Sequence, residues 1–316
     1  MKPFVPSFPI HCYQKGYNGN VLFYNIKDRL LYLTIFSTQA KKYGIKTLAI
    51  NLMFNHVHFL VRCKDKETLI LFNATTQQMF ARDQNSYIHS RGKWFMKTFG
   101  WAQKKSDKDI RTCYCYINNN AVEKQLYTNA AKDPWTLLSY YQNPHPYSGL
   151  LTENRSSAAM RRALKEVRYA FYSDNYINLT MLDRFSQSLT QEELLKIKDY
   201  IISLYCPIVF EEANRYFGSV NNLLLACNVS SGSEYEIKED WDGPSDKPYL
   251  EMIRSITNSG YSLSDKSFIK NRKELLNMIR ILLKDTHASP VMIGRFLHQR
   301  VHASPSVQEL SLVQSK

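Results

Sequence analysis

Short apolar runs alternate with longer amphipathic segments through the first half of the chain. Residues 8–14, 45–53 and 57–63 are runs of strand length, bounded by polar or turn-forming residues. Residues 28–43 instead repeat leucine and isoleucine at helical spacing and end at Gly44, a residue suited to terminating a helix. The pattern therefore predicts a strand, a helix and two further strands.

The next three segments complete a larger plan. We predict a helix over residues 66–83 with Asp65 as its cap, a strand or strand-like arm over residues 91–101, and a third helix over residues 107–126. The order β-α-β-β-α-β followed by a helix is the split βαβ, or ferredoxin-like, plan. It predicts an α+β fold with an antiparallel sheet.

A change of composition predicts a boundary between residues 1–147 and 148–316. The second part is predicted to be mainly helical, and Thr190 with Glu193 has the spacing of a capping box. A loop rich in Ser, Gly and Asp is predicted over residues 229–247. The last two helices fit either a helix-turn-helix or, more simply, a helical hairpin. Helices in this part are predicted over residues 158–171, 190–204, 271–283 and 290–299.

The positive charge is concentrated in the first part. The net charge of the 316 residues is +13, and residues 1–150 carry 20 Lys and Arg against 8 Asp and Glu. Residues 151–316 carry 21 against 20. A basic domain with many aromatic residues favours a nucleic-acid partner, although a merely soluble basic surface would have the same charge.

The remaining composition argues for a globular protein inside the cell. Hydrophobic residues make up 44% of the chain, but no apolar run reaches the roughly 20 residues that span a bilayer. We expect no membrane association and a cytoplasmic, nucleoid-associated location. The six cysteines contain no Cys-x-x-Cys pair, which favours reduced thiols over a disulfide framework or a zinc site.

Two histidines lie in the apolar run "MFNHVHFLV". Because side chains alternate along a strand, His56 and His58 share one face, while Val57 faces the opposite layer. Two imidazoles on one face of a rigid strand can hold one metal ion. An isolated His-x-His is more often two ordinary strand histidines, so this pattern needs support from elsewhere.

That support comes from "YINNNAVEKQL", about 60 residues downstream. On a helix, Tyr116 and Asn120 lie one turn apart on the same face. A tyrosine hydroxyl near a divalent metal can attack a phosphodiester, and a carboxamide oxygen can complete the coordination of the metal. An ordinary tyrosine-rich helix is the plain alternative.

Together the two motifs resemble the single-tyrosine HUH transposases, an insertion-sequence transposase family, and specifically the branch of REP-associated tyrosine transposases. The family patterns are roughly "MPNHVHLLV" and "YIHLNPVRAGLV", and "DPWTLLSYY" is similar to the closing segment of the family. The resemblance covers about residues 8–147. Phe54 and Ala121 stand where the family has proline, but neither position is a ligand or nucleophile. Tyr114 precedes Tyr116 by two residues, and a helix turns it about 200° away.

The resemblance implies an enzyme that cleaves and rejoins single-stranded DNA. His56, His58 and Asn120 would hold one Mg²⁺ or Mn²⁺, and Tyr116 would attack the DNA to leave a 5′-phosphotyrosine and a free 3′-hydroxyl. The implied substrate is DNA with an imperfect hairpin beside a short recognition tetranucleotide. The general base is not identified, and a homodimer is left open.

The segment from Lys93 to Trp101 mixes basic and aromatic residues, which is typical of a single-strand contact but also of a half-buried strand. Both interpretations stay open. The candidate DNA contacts are Arg62, Lys93, Trp94, Lys97, Lys104 and Lys105.

Three other functions compete with this one. A catalytically silent or domesticated sequence-specific DNA-binding protein would keep the fold and the charge. A replication or conjugation nuclease is disfavoured, because relaxases usually place the tyrosine before the histidines. A metal-storage or structural protein leaves the basic bias and the tyrosine helix unexplained.

Overall fold

Residues 4–229, 245–264, 266 and 271–299 are described by the computed structural model. Most of the loop predicted over residues 229–247 lies outside these ranges.

Four strands form one antiparallel sheet in the order β2-β3-β1-β4. Strand β1 pairs with both β3 and β4, and β2 pairs with β3. This order and these directions are those of the ferredoxin-like plan, so the predicted fold class is confirmed. The strands are β1 (Ile10–Lys15), β2 (Lys46–Leu52), β3 (His56–Arg62) and β4 (Gly100–Gln103).

Three helices belong to this sheet, namely α1 (Ile26–Tyr43), α2 (Lys66–Tyr87) and α3 (Asp107–Glu123). Residues next to the helix ends determine where α1 stops and where α2 starts. Gly44 ends α1 with a left-handed backbone, at φ 64°, where a side chain would be strained. The predicted cap of α2 is confirmed, because the Asp65 side chain accepts a hydrogen bond from the Thr68 N–H.

The predicted strand over residues 91–101 is much shorter in the structure. Only its last two residues enter β4, and Phe95 makes a single bridge with Gly16. Trp94 and Phe95 are both buried. The packing of these two side chains in the core, rather than backbone pairing with a neighbouring strand, therefore holds the segment in place.

The two faces of the sheet are covered by different helices. Cys12, Val57 and Phe59 belong to a core with α1 and α2. On the other face, Leu60 packs in a cluster with Ile117 of α3. The Asn51 side chain also donates to the Ile117 carbonyl at 2.9 Å, which fixes α3 against the sheet.

The second part of the chain is mainly helical, as predicted. Thr190 and Glu193 form the predicted capping box at the start of α6. The helices of this part are α4 (Ala158–Tyr172), α5 (Leu179–Ser188), α6 (Gln191–Leu204), α7 (Phe210–Asn214), α8 (Val220–Cys227), α9 (Lys247–Asn258), α10 (Arg272–Asp285) and α11 (Pro290–Phe296).

The hydrophobic core crosses the predicted boundary after residue 147. Leu164 of α4 and Ile201 of α6 belong to the same cluster as Phe36 of α1. A second cluster joins α9, α10 and α11 to Tyr24 and Phe54 of the first part. The division at residue 147 stays a prediction, and buried apolar contacts join its two sides.

Helices α10 and α11 are the pair predicted as a helix-turn-helix or a hairpin. Helix α11 has seven residues, fewer than predicted, and Ile293 and Phe296 are buried against the second cluster. Within the described residues, no helix is long and apolar enough to cross a membrane.

Candidate active site

Two histidines lie side by side on the sheet face that α3 covers. The ring centroids of His56 and His58 are 4.9 Å apart and the rings are nearly perpendicular. His58 is fully buried and His56 is 6% exposed. The alternation of side chains along β3 therefore places the pair on one face, as the sequence predicts.

Helix α3 brings the other two predicted residues to this pair. The Tyr116 ring meets the His58 ring edge-on, with 5.5 Å between their centroids. One turn later, the Asn120 amide nitrogen lies 3.5 Å from His58 Nε2. The helix begins at a capping box of Ser106 and Asp109, which fixes its start, while the hydrogen bond from Asn51 to the Ile117 carbonyl fixes it against the sheet.

Two site residues were not predicted from the sequence. His11 Nε2 lies 3.1 Å from His58 Nδ1, and the Tyr13 ring lies 5.0 Å from the His58 ring. Both project from β1 onto the same face, because β1 pairs with β3 and places Tyr13 opposite His58. In the sequence "HCYQK", alternation along a strand predicts that His11 and Tyr13 share one face. Only the pairing of β1 with β3 shows that this is the face of His56 and His58.

Burial keeps two of the imidazoles neutral. It lowers the pKa of His56 well below its usual value, and His58, Lys124 and Lys15 lower it further. Burial likewise lowers the pKa of His11, with smaller contributions from His58 and Lys104. A neutral imidazole keeps the lone pair that a metal ion needs.

The contacts of His56 and Asn120 fit a divalent cation. The Asn55 side-chain oxygen lies 2.7 Å from His56 Nδ1, while its amide donates to the Gly19 carbonyl at 3.3 Å. Asn55 therefore accepts a hydrogen bond from the Nδ1–H group, which leaves the lone pair of His56 on Nε2. The Asn120 carboxamide oxygen is buried without a hydrogen-bond partner among the described residues, and rotating the amide would aim it at His58.

Two imidazoles and one amide oxygen suit a divalent cation that keeps water or phosphate oxygens as its other ligands. The described residues hold no group of three or more His, Cys, Asp or Glu arranged as a metal site. The candidate site therefore depends on Asn120 as its third ligand.

Tyr114 lies away from this cluster. Its side chain is 1% exposed and packs against Phe217, with 5.3 Å between the ring centroids. Its hydroxyl has no hydrogen-bond partner in the described part of the chain. The two tyrosines of α3 thus face different surroundings, and the one beside the histidines is Tyr116.

The candidate DNA contacts are divided between surface and interior. Lys93, Lys97 and Lys105 are exposed, and each can reach a phosphate. Arg62 is less available, because its guanidinium already binds the Glu212 carboxylate and the Tyr216 hydroxyl.

Trp94 and Lys104 are buried, which corrects their interpretation as surface contacts. Trp94 is 3% exposed, packs edge-on against Phe80 and donates its indole N–H to Asn85 at 3.0 Å, so it cannot stack on a base. Lys104 is 2% exposed and lies on the His11 side of the sheet, where its charge helps to lower the pKa of that histidine.

Residues 13–120 match a family model described as IS200-like transposases. This match covers the first sequence motif and the second as far as Asn120, and it confirms the predicted resemblance to insertion-sequence transposases over that part of the chain. One similar solved structure is a REP-associated tyrosine transposase bound to a REP hairpin. It is 12% identical, covers 43% of this chain and 79% of its own, and has a TM-score of 0.37. No curated protein matches the chain.

Proposed function

We propose, on the premise that residues 13–120 match the family model of IS200-like transposases, that the protein cleaves and rejoins single-stranded DNA through Tyr116. One observation supports this most directly. The Tyr116 ring lies 5.5 Å from that of His58, and Asn120 lies on the same face of α3 one turn later. A nucleophile and three potential metal ligands therefore converge on one side of the sheet.

The proposed reaction is an exchange of phosphodiester bonds. The Tyr116 hydroxyl gives up its proton as its oxygen attacks a backbone phosphorus, the bond from phosphorus to the 3′-oxygen breaks, and the 3′-oxygen takes up one proton, so that no net proton is gained or lost. The products are a 5′-phosphotyrosine and a free 3′-hydroxyl. Attack by a 3′-hydroxyl reverses the step and restores Tyr116, so strands are rejoined without a nucleotide cofactor.

His56, His58 and Asn120 would hold one Mg²⁺ or Mn²⁺ beside the scissile phosphate. Such an ion, when bound, polarises the phosphate and stabilises the charge that develops on it. The protein's own contribution is to hold its ligands rigidly. Asn55 fixes the tautomer of His56, and the contact between Asn51 and Ile117 keeps α3 in place.

The proposed substrate is hairpin DNA with an adjoining single strand, as the resemblance of the motifs implies. Lys93, Lys97 and Lys105 are exposed cations that would contact its phosphates. These contacts would strengthen binding at low salt without selecting a sequence.

A covalent-capture assay tests the proposal. Purified protein is mixed with end-labelled hairpin DNA from the flanks of its own gene and with Mn²⁺, and the products are separated under denaturing conditions. We expect a slow-migrating adduct that disappears in Tyr116→Phe and His58→Ala. Tyr114→Phe is the matched control, because it removes a buried hydroxyl that has no described hydrogen-bond partner.

An adduct that survives in Tyr116→Phe would reject Tyr116 as the nucleophile. The absence of any adduct, together with tight and salt-sensitive binding, would instead favour a catalytically silent DNA-binding protein with the same fold. Omitting the divalent cation should abolish the adduct, and an adduct of undiminished yield without it would reject the metal-dependent mechanism.

A further inference from the structure

A cavity of about 320 Å³ lies beside the C-terminal end of α3, outside the histidine cluster. Ala121, the neighbour of Asn120, forms part of its wall. Its size is at the lower end of the range for small-molecule and cofactor sites. The wall is mostly apolar, with aliphatic and aromatic side chains, and it contains one cation and one carboxyl group. The wall includes Arg29, Phe54, Tyr127, Asp133 and Trp135.

Arg29 lines this cavity. Its guanidinium lies 4.9 Å from the Phe54 ring centroid and 5.4 Å from that of Trp135, so aromatic rings flank it. Its Nε donates to the Leu52 carbonyl at 3.4 Å. Its two terminal amino groups have no hydrogen-bond partner or ion pair within the described residues. Burial lowers its pKa, but an arginine remains charged, so the group has unused donors.

Asp133 supplies acceptors in the same wall. It is 2% exposed, and its Oδ1 accepts a hydrogen bond from the Trp135 N–H at 2.9 Å. Among the described residues it forms no ion pair with Arg29, although the two interact electrostatically. Opposite charges that are buried close together would normally join, because each is costly to leave without a partner. Here the cavity lies open to both.

We propose that this cavity binds a guanine base of a DNA strand. The donor fork of Arg29 matches the O6 and N7 acceptors of guanine. The Asp133 carboxylate matches the N–H donors on the N1 and N2 atoms of the same base. Tyr127 and Trp135 offer flat apolar surfaces to the ring. Adenine presents a donor at N6 where Arg29 needs an acceptor, and pyrimidines lack the N7 acceptor.

The position of the cavity relates it to the proposed reaction. Ala121 and Phe54 in its wall are close in sequence to Asn120 and His56, so a bound base would lie on the same two segments that carry the proposed metal ligands. The inference rests on the proposed function only for the source of the base, which is a DNA strand rather than a free nucleotide. Binding of the base requires no cleavage, so an experiment can reject the guanine site without rejecting the cleavage reaction, and the reverse.

The test is a binding measurement on the full chain carrying Tyr116→Phe, which removes the proposed nucleophile. Labelled oligothymidines with one central guanine, adenine, hypoxanthine or 7-deazaguanine are compared by fluorescence anisotropy, above neutral pH, where Asp133 is ionised. We expect guanine to bind at least about tenfold tighter than adenine. Hypoxanthine lacks one donor for Asp133, and 7-deazaguanine lacks one acceptor for Arg29, so each should fall between them.

Asp133→Asn should abolish the preference for guanine. Equal binding of the guanine and adenine strands, or a preference that persists in Asp133→Asn, would overturn the proposal. If Asp133→Asn does not fold, Leu250→Trp is the second variant, because Leu250 lines the cavity and the larger side chain would fill it. Its control is Leu225→Trp, at a side chain that is 68% exposed elsewhere on the surface.

Competition with guanosine monophosphate separates the two sources of the base. Competition that is weaker than that of the unlabelled guanine strand supports a DNA strand as the ligand, because the strand adds phosphate contacts. Equal or tighter binding of the free nucleotide would overturn the DNA assignment. A guanine preference without any covalent adduct would support the guanine site and reject the proposed reaction. An adduct without any base preference would support the reaction and reject the guanine site.

Discussion

The properties of single residues in this site depend on neighbours that need not touch the substrate. Asn55 is the clearest case, since its side chain lies between His56 Nδ1, at 2.7 Å, and the Gly19 carbonyl, at 3.3 Å. It therefore selects one tautomer of the histidine. Partners of this kind typically change metal affinity by about 10- to 100-fold.

Asn55→Ala should weaken Mn²⁺ binding by about tenfold or more, because His56 can then turn or change tautomer. Calorimetric titration of the purified protein with Mn²⁺ measures the change without requiring DNA. Asn154→Ala, at an exposed asparagine, serves as the control. Unchanged Mn²⁺ affinity in Asn55→Ala would remove Asn55 from the site.

Asp133 should make the stability of the protein depend on pH. Burial raises its pKa from 3.8 to about 7, and Arg29 and the Trp135 N–H offset only part of this shift. The folded state thus binds the proton more tightly than the unfolded state does. The free energy of unfolding should therefore fall as the pH rises from about 4 to about 7.

Asp133→Asn should remove this dependence, because asparagine keeps the oxygen that accepts from the Trp135 N–H and carries no charge. We expect little change near pH 3, below both pKa values, and a gain of at least about 2 kcal/mol in unfolding free energy near pH 8, since each unit of pKa difference corresponds to about 1.4 kcal/mol. Urea titrations at the two pH values make the comparison. A gain of equal size at both would contradict the assignment.

Among the elements, α3 carries most of the proposed chemistry. Its first turn is closed by Ser106 and Asp109, and α6 begins with an equivalent capping box of Thr190 and Glu193. The two boxes have the same geometry, but only α3 carries a predicted site residue. Removing either box should destabilise its helix to a similar extent, but only the box of α3 should also affect the geometry of the candidate site.

Ser106→Ala and Thr190→Ala should each lower the free energy of unfolding by about 1 kcal/mol. Only Ser106→Ala should slow formation of the Tyr116 adduct, because fraying of α3 loosens the face that holds Tyr116 and Asn120. Denaturant titration gives the first quantity and time-resolved covalent capture the second. Equal slowing by both variants would show that the adduct follows overall stability.

The helix ends that depend only on nearby residues could be predicted from the sequence. The caps at Asp65 and Thr190 and the stop at Gly44 depend on a few neighbouring residues, and all three lie where the pattern places them. His56 and His58 share a face because of strand alternation alone. The candidate site residues Tyr116 and Asn120 were proposed from helical spacing and from the resemblance of their motif.

What the sequence did not reveal depends on contacts between distant segments. His11 and Tyr13 become site residues only because β1 lies beside β3. The cavity at Arg29 is formed jointly by α1, the turn after β2, residues 121–135 and α9. Trp94 resembled a surface aromatic residue because its neighbours are basic, but its contact with Phe80 of α2 buries it.

At the scale of the whole molecule, one buried ion pair joins the two parts of the chain. Lys266 Nζ lies 2.9 Å from Asp28 Oδ1 and donates to the Gln84 side chain at 3.0 Å. Lys266 is 1% exposed and Asp28 is fully buried. Removing one member would leave the other charge inside the protein without its counterion.

Lys266→Met should lower the free energy of unfolding by about 3–5 kcal/mol, the usual cost of breaking a buried pair. Lys41→Met is the matched control, because Lys41 pairs with Asp174 at 2.5 Å but both side chains are more than 60% exposed. The control should cost at most about 1 kcal/mol. Denaturant titrations give both values, and equal small losses would mean that Asp28 is satisfied without Lys266.

The cluster around Tyr24 also has a consequence for the order in which a newly made chain matures. The Tyr24 hydroxyl donates to the Phe296 carbonyl, 272 residues away in the sequence. At the usual speed of a ribosome, roughly 15–50 seconds separate the synthesis of these two residues. During that interval Tyr24 and Phe54 lack the helices that later bury them, and Phe54 lies two residues from His56. The apolar cluster next to the histidine pair is therefore completed only after α9, α10 and α11 have been synthesised.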